Sequence, residues 1–146
     1  MAGAEVENLS ISGCKKPQIM ADNGHHSPTV LLVEDETTLR SLLVRQLRQI
    51  GYRVIEASNG KEALDLFAEN SEIDLLVTDL MMPYMGGIEL VNRVRTQKQN
   101  LPVLFISGYL DSASSDLAKI KKPFSALRKP FTLRVLAEEV ETILSS

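Results

Sequence analysis

Apolar positions along the chain fall into two rhythms that alternate. Thr29 to Val33 (TVLLV) is a continuous apolar run of strand length, the mark of a strand covered on both faces. Behind it Leu39, Leu42, Leu43, Leu47 and Ile50 recur at helical spacing, a stripe that Gly51 ends. Tyr52 to Ala57 reads as a second, more mixed strand. Asn59 is placed to N-cap a helix from Lys61 to Glu69 that buries Ala63, Leu64 and Phe67. Leu75 to Thr78 is a third strand running into Asp79, Pro83 to Gly87 a loop, and Ile88, Val91 and Val94 mark a third helix. Pro102 to Ser107 (PVLFIS) is a fourth strand. Asp111 to Lys122 is rich in weak helix formers and predicts a short or mobile helix. Ser125 to Arg128 is the fifth strand. From Thr132 to Leu144 an amphipathic helix buries Leu133, Leu136, Ala137, Val140 and Ile143.

Five strand–helix units with apolar strands predict an α/β fold, a parallel sheet with helices on both faces. At this size the flavodoxin-like (βα)5 three-layer sandwich, sheet order 2-1-3-4-5, is the natural solution. Residues 1 to 28 lack periodicity and are rich in Gly, Ser, Asn and Lys, which predicts a disordered tail or linker and leaves one domain over 29–146. With 44% hydrophobic and 24% charged residues in 146, one ordinary core can form. Cys14 is the single cysteine, so no internal disulfide exists and a reducing compartment is expected. No apolar run reaches the length of a membrane span and no leader pattern opens the chain, so a cytoplasmic protein with no membrane partner is expected. The adjacent His25 and His26 have no further ligand near them and predict no metal site. A net charge of −3 gives no reason to expect nucleic acid. Charge is uneven all the same: Lys119, Lys121, Lys122, Arg128, Lys129 and Arg134 fall in one stretch without an acid, a solvated face or a partner-binding patch.

In such sheets ligands bind beyond the C-terminal strand ends, near the switch between strands 1 and 3. Glu34 and Asp35 follow strand 1, Asp79 ends strand 3, Ser107 ends strand 4, and Lys129 with Pro130 follows strand 5. Three carboxylates at one edge repel one another and call for a cation. A hard oxygen cluster with room for water suits Mg²⁺, and Lys129 adds a fixed positive charge. The same set suits phosphoryl transfer, in which charge spreads over three equatorial oxygens. The metal, the Lys129 ammonium and the Ser107 hydroxyl could hold one each, with Asp79, the central carboxylate, as nucleophile. Each piece alone is ordinary, since acids at a helix N-terminus favour the macrodipole anyway. Their joint placement at four strand ends is not.

The segments LLVEDE, LLVTDLMMPYMGG, LFISGY and LRKPF resemble the signature blocks of response-regulator receiver domains (CheY-like), over about residues 29 to 146. The resemblance implies that Asp79 is the phosphoacceptor and that Glu34, Asp35, Asp79 and the Met81 backbone carbonyl hold Mg²⁺. It implies further that Ser107 is the switch hydroxyl, Lys129 the paired lysine, and the bond before Pro130 a cis peptide that aims it. It also implies a two-component phosphorelay: a histidine kinase or histidine phosphotransfer protein as donor, a downstream protein partner, and phosphoryl acceptance with slow self-dephosphorylation rather than turnover. Met81 and Tyr109, one apolar and one bulky, stand where that family controls water entry. The SGY block and the KPFTLRVLAEEV ending look most like receivers of hybrid sensor kinases or stand-alone relatives, and no output domain is expected after Ser146.

Two features depart from that pattern. Ala126 stands where the family carries an aromatic, three residues before the lysine, and the fourth helix is weak. Tyr109, or Phe124 on the same strand face as Ala126, is expected to substitute, Tyr109 being favoured because its loop shifts with Ser107. The weak helix then becomes an order–disorder element, with Lys119 to Lys122 in the partner surface. Other classes fit less well. A haloacid-dehalogenase-type phosphatase needs a second Asp where Met81 stands, and a flavodoxin-like cofactor binder needs a Ser/Thr/Gly-rich loop where VEDETT stands. A pseudo-receiver that only binds proteins would not need the complete acid pair, Asp79 and Lys129.

Overall fold

The computed structural model describes residues 27–145, with Tyr109 and Ser112 left out. The expected tail before Ser27, with Cys14, His25 and His26, therefore lies outside the described residues, as does Tyr109. Ten elements alternate: β1 Thr29–Val33, α1 Thr37–Ile50, β2 Arg53–Ala57, α2 Gly60–Glu69, β3 Ile73–Asp79, α3 Gly87–Val94, β4 Val103–Ser107, α4 Ser114–Leu117, β5 Phe124–Arg128 and α5 Leu133–Ser145. The strands form one parallel sheet in the order β2-β1-β3-β4-β5, as the alternation predicts.

Successive side chains of a strand point to opposite faces, so each central strand feeds two cores. Leu31 and Val33 join Leu76, Phe105, Phe67 and Val91 under α2, α3 and α4. Val30 and Leu32 join Leu75, Leu104, Leu43 and Leu136 under α1 and α5. Every residue of β1 and β4 is buried, and β3 nearly matches them. The edge strands depart from the expectation of fully covered strands. In β2 only Val54 and Ala57 are buried, and in β5 Ala126 and Arg128 are exposed, because an edge strand has a neighbour on one side only.

The helical stripes also need correction. In α1 the buried residues are Leu43, Val44 and Leu47, while Leu42 and Ile50 are exposed. In α5 Leu136 and Val140 are buried but Leu133 is exposed. Ile50 and Leu133 lie at helix ends and overhang the sheet, while Leu42, in mid-helix, lies on the flank of the buried stripe beside Leu43. Asn59 caps α2 as expected, accepting from the Glu62 N–H at 2.8 Å, and Glu62 reaches back to the Ser58 N–H and hydroxyl. The fourth helix is a single turn, held to the core by Leu117 and Ile120 just after it.

Candidate functional site

Parallel pairing sets Val33 beside Thr78, Asp79 beside Ile106, and Ser107 beside Arg128. The chain ends of β1, β3, β4 and β5 are thereby level, and the residues at them converge. Glu34 is only 1% exposed and Asp79 only 6%, while Ser107 is fully buried and Asp35 open to solvent. Carboxylate oxygens of Glu34, Asp35 and Asp79 lie within 4.8 Å of one another. The Lys129 ammonium bridges two of these acids, donating to Asp79 Oδ2 at 2.7 Å and Glu34 Oε1 at 3.0 Å.

The backbone completes the placement. Met81 N–H donates to Asp79 Oδ1 at 3.1 Å and Glu36 N–H to Glu34 Oε2 at 3.0 Å, so both buried carboxylates have both oxygens engaged. Lys129 N–H donates to the Ser107 carbonyl at 2.9 Å, tying the lysine to the end of β4, and the Lys129–Pro130 peptide is cis. Burial raises the Glu34 carboxyl above the ordinary carboxylate range, against the pull of the Glu36 N–H and Lys129; the charge of Asp79 adds to the rise. Burial works to lower Lys129, but its bonds to Asp79 and Glu34 outweigh that and hold the ammonium above its usual value.

With all four groups ionised, three negative charges meet one positive, a net of −2. A divalent ion would cancel it, and a purely oxygen donor set is the kind that hard cations prefer. Octahedral Mg²⁺ at about 2.1 Å spaces its ligand oxygens about 3–4 Å apart, so a cluster within 4.8 Å needs only small side-chain adjustments. The donors fit the ion.

Sequence reasoning missed several supports. Arg40 donates to the Glu34 carbonyl at 2.8 Å and to Glu56 at 3.3 Å, behind the acid pair. The Thr78 hydroxyl donates to the Asp79 carbonyl at 2.9 Å. Gly87, at the start of α3, has its backbone pressed against Asp79: a Cβ there would lie 2.4 Å from the Asp79 carbonyl oxygen. The helical position of Arg40, one turn after Glu36, was the single visible signal among these.

The rest of the predicted set is dispersed. Of the basic stretch, Lys129 belongs to the site, Arg128 pairs with Asp111 at 2.8 Å and Arg134 with Glu138 at 3.2 Å. Lys119, Lys121 and Lys122 are exposed. Phe124 packs edge-on against Phe105, ring centres 5.9 Å apart, within the core. No helix among the described residues is long and apolar enough to cross a membrane.

A sequence model of the response regulator receiver domain matches residues 30–141. The chain is 40% identical over 119 residues to the sensor kinase CckA of Brucella abortus, covering 81% of this chain and 13% of that much longer protein. It is 34% identical over 120 residues to a chemotaxis protein CheY homolog of Campylobacter jejuni, covering 80% of this chain and 92% of the other. Its fold is similar to that of the response regulator protein TrrA from Thermotoga maritima, solved in complex with Mg²⁺-BeF. The TM-score there is 0.71 at 30% identity, over 80% of this chain and 98% of that one.

Proposed function

This chain belongs to the response regulator receiver domain family, and from that premise we propose that it accepts a phosphoryl group on Asp79 with Mg²⁺ bound. The Lys129 bridge between Asp79 and Glu34, beside Asp35, is the observation that carries the reading. An Asp79 carboxylate oxygen attacks the phosphorus of a phosphohistidine. The new P–O bond forms as the P–N bond breaks, and the leaving imidazole keeps the electron pair and is protonated from solvent. Glu34, Asp35, Asp79 and the Met81 carbonyl would hold the ion, which when bound supplies charge neutralisation for the incoming group. Lys129 and the Ser107 hydroxyl each take one equatorial oxygen as charge spreads across them. The Met81 N–H, already on the Asp79 carboxylate, keeps the nucleophile oriented.

The donor is a histidine kinase or histidine phosphotransfer protein, and the phosphorylated form signals to a downstream protein partner in the cytoplasm. The chain is an acceptor that slowly loses its phosphoryl group, not a turnover enzyme. Support comes from the family's role in two-component systems, from the likeness to a sensor kinase and a chemotaxis protein, and from the Mg²⁺ in the TrrA complex. Incubation with a small phosphodonor and Mg²⁺ tests it: intact mass should rise by one phosphoryl group, and Asp79→Asn should abolish the gain. An undiminished gain in that variant overturns the assignment.

A further inference from the structure

Helix α1 buries Leu43, Val44 and Leu47, and the same stripe carried one turn toward the N-terminus reaches Arg40. That is a poor place for an arginine. The side chain is only 17% exposed, and a cation in the first turn of a helix opposes the macrodipole. What the position gains is a pair of bonds. Arg40 Nη1 donates to the Glu34 carbonyl at 2.8 Å, and Nε to Glu56 Oε1 at 3.3 Å.

The Glu34 carbonyl belongs to the peptide that joins Glu34 to Asp35. A peptide is planar, so holding its oxygen fixes the bond that leads into Asp35. The far side of Asp35 is held as well: Glu36 N–H donates to Glu34 Oε2 at 3.0 Å, and Arg40 N–H to the Glu36 carbonyl at 2.9 Å. Glu34 N–H is tied to the Ala57 carbonyl of β2 at 3.1 Å. Asp35 itself is exposed, and its side chain bonds to no other described residue. Its carboxylate is therefore aimed by the backbone on either side of it, and Arg40 is the residue that grips that backbone from α1. As a bare charge Arg40 would repel a cation at the acids, but Glu56 pairs with the guanidinium and offsets it.

We propose that Arg40 is a positioning residue for the metal site: through the Glu34 carbonyl it sets the Asp35 carboxylate where a small octahedral ion needs it, and so favours Mg²⁺ over Ca²⁺. The proposal rests on the reading of Glu34, Asp35 and Asp79 as holding Mg²⁺, and adds what makes that site selective. Mg²⁺ demands near-ideal octahedral geometry, whereas the larger Ca²⁺ accepts varied ligand numbers and positions. A loosened Asp35 therefore costs the smaller ion more.

The test titrates the full chain with Mg²⁺ and, separately, with Ca²⁺, following backbone amide NMR shifts at the turn between β1 and α1. Wild type is compared with Arg40→Met and Arg40→Lys. Arg40→Met keeps an apolar stem in place and loses both bonds. Its Mg²⁺ dissociation constant should rise about tenfold, as when the partner that orients a metal ligand is removed. The Ca²⁺ constant should rise by clearly less, so that the preference for Mg²⁺ narrows. Arg40→Lys keeps the charge but bears it on a single nitrogen, and should fall between wild type and Arg40→Met. It also carries the comparison if Arg40→Met does not fold. Mg²⁺ affinity that is unchanged or tighter in every variant that folds overturns the proposal, since a mere charge would tighten the ion on removal. An equal loss for the two ions overturns it too, because general loosening of the fold would not tell them apart. If the wild type binds no Mg²⁺, it is the reading of the site that fails, and the proposal falls with it; if only the variants behave as wild type, the site stands and the role of Arg40 falls alone.

Discussion

The two ends of the sheet treat charge in opposite ways. At the N-terminal strand ends, cations bond to neutral carbonyls. Arg95, at the end of α3, donates to the carbonyls of Leu101, Lys121 and Pro123, and the Lys98 ammonium donates to that of Ile73. The acids there are also matched, Glu72 by Arg53 and Asp74 by the Thr29 N–H. At the C-terminal ends three carboxylates lie together, and the one lysine among them bonds two, Glu34 and Asp79. One end spends its polar groups on holding chain segments together. The other keeps an imbalance of charge under partial burial, stable only because the fold around it is stable. That imbalance is what a metal ion and a phosphoryl group can use.

Removing the lysine should widen the contrast most. Lys129→Met leaves buried Glu34 and Asp79 facing each other with no cation, and should cost about 3 kcal/mol of folding stability in denaturant titration without metal. Mg²⁺ should return much of that stability, while acceptance from acetyl phosphate stays lost. A variant as stable as wild type without metal would mean that the two carboxylates do not rely on Lys129.

Arg95→Ala probes the other end and should cost less, about 1 kcal/mol, since it frees carbonyls that water can partly reach and leaves no buried charge alone. Its rate of labelling by acetyl phosphate should match wild type, because nothing in that end touches the site. A slowed rate there would show that the two ends are not independent. The smallest effect is expected at Asp35. Asp35→Asn removes one like charge from the cluster and should raise stability without metal by under about 1 kcal/mol, given the exposure of the side chain. Mg²⁺ titration should weaken in the same variant. Unchanged stability together with an unchanged titration would remove Asp35 from the cluster.

The central part of this design was legible in the sequence, and its supports were not. Runs such as TVLLV and PVLFIS are strand-length, rich in β-formers and apolar throughout, as strands buried on both faces are, and once their order is set the acids after Val33, the Asp after Thr78 and the Lys after Arg128 meet at one edge. Arg95 left no trace of its role, because its partners are backbone carbonyls, which every residue has. The exposed Leu42, Ile50 and Leu133 depart from their stripes for a related reason: helical periodicity tells which side faces inward but neither how wide nor how long the covered area is. The positive φ of Tyr84 is a matter of one dihedral angle and has no signature in composition at all. Ala126 departs from the family pattern in the sequence itself, and in the structure it is exposed on the edge strand.

The contact between Gly87 and Asp79 has a mechanical side. With the α3 backbone lying where a methyl group would already collide with the Asp79 carbonyl, no compliant layer of side chain separates helix from strand. The same carbonyl is braced by the Thr78 hydroxyl. The first turn of α3 and the Asp79 peptide therefore meet as one stiff part, like a lever and its fulcrum cut from a single block. A shift of the Asp79 peptide pushes directly on α3, and a force on α3 from outside reaches Asp79.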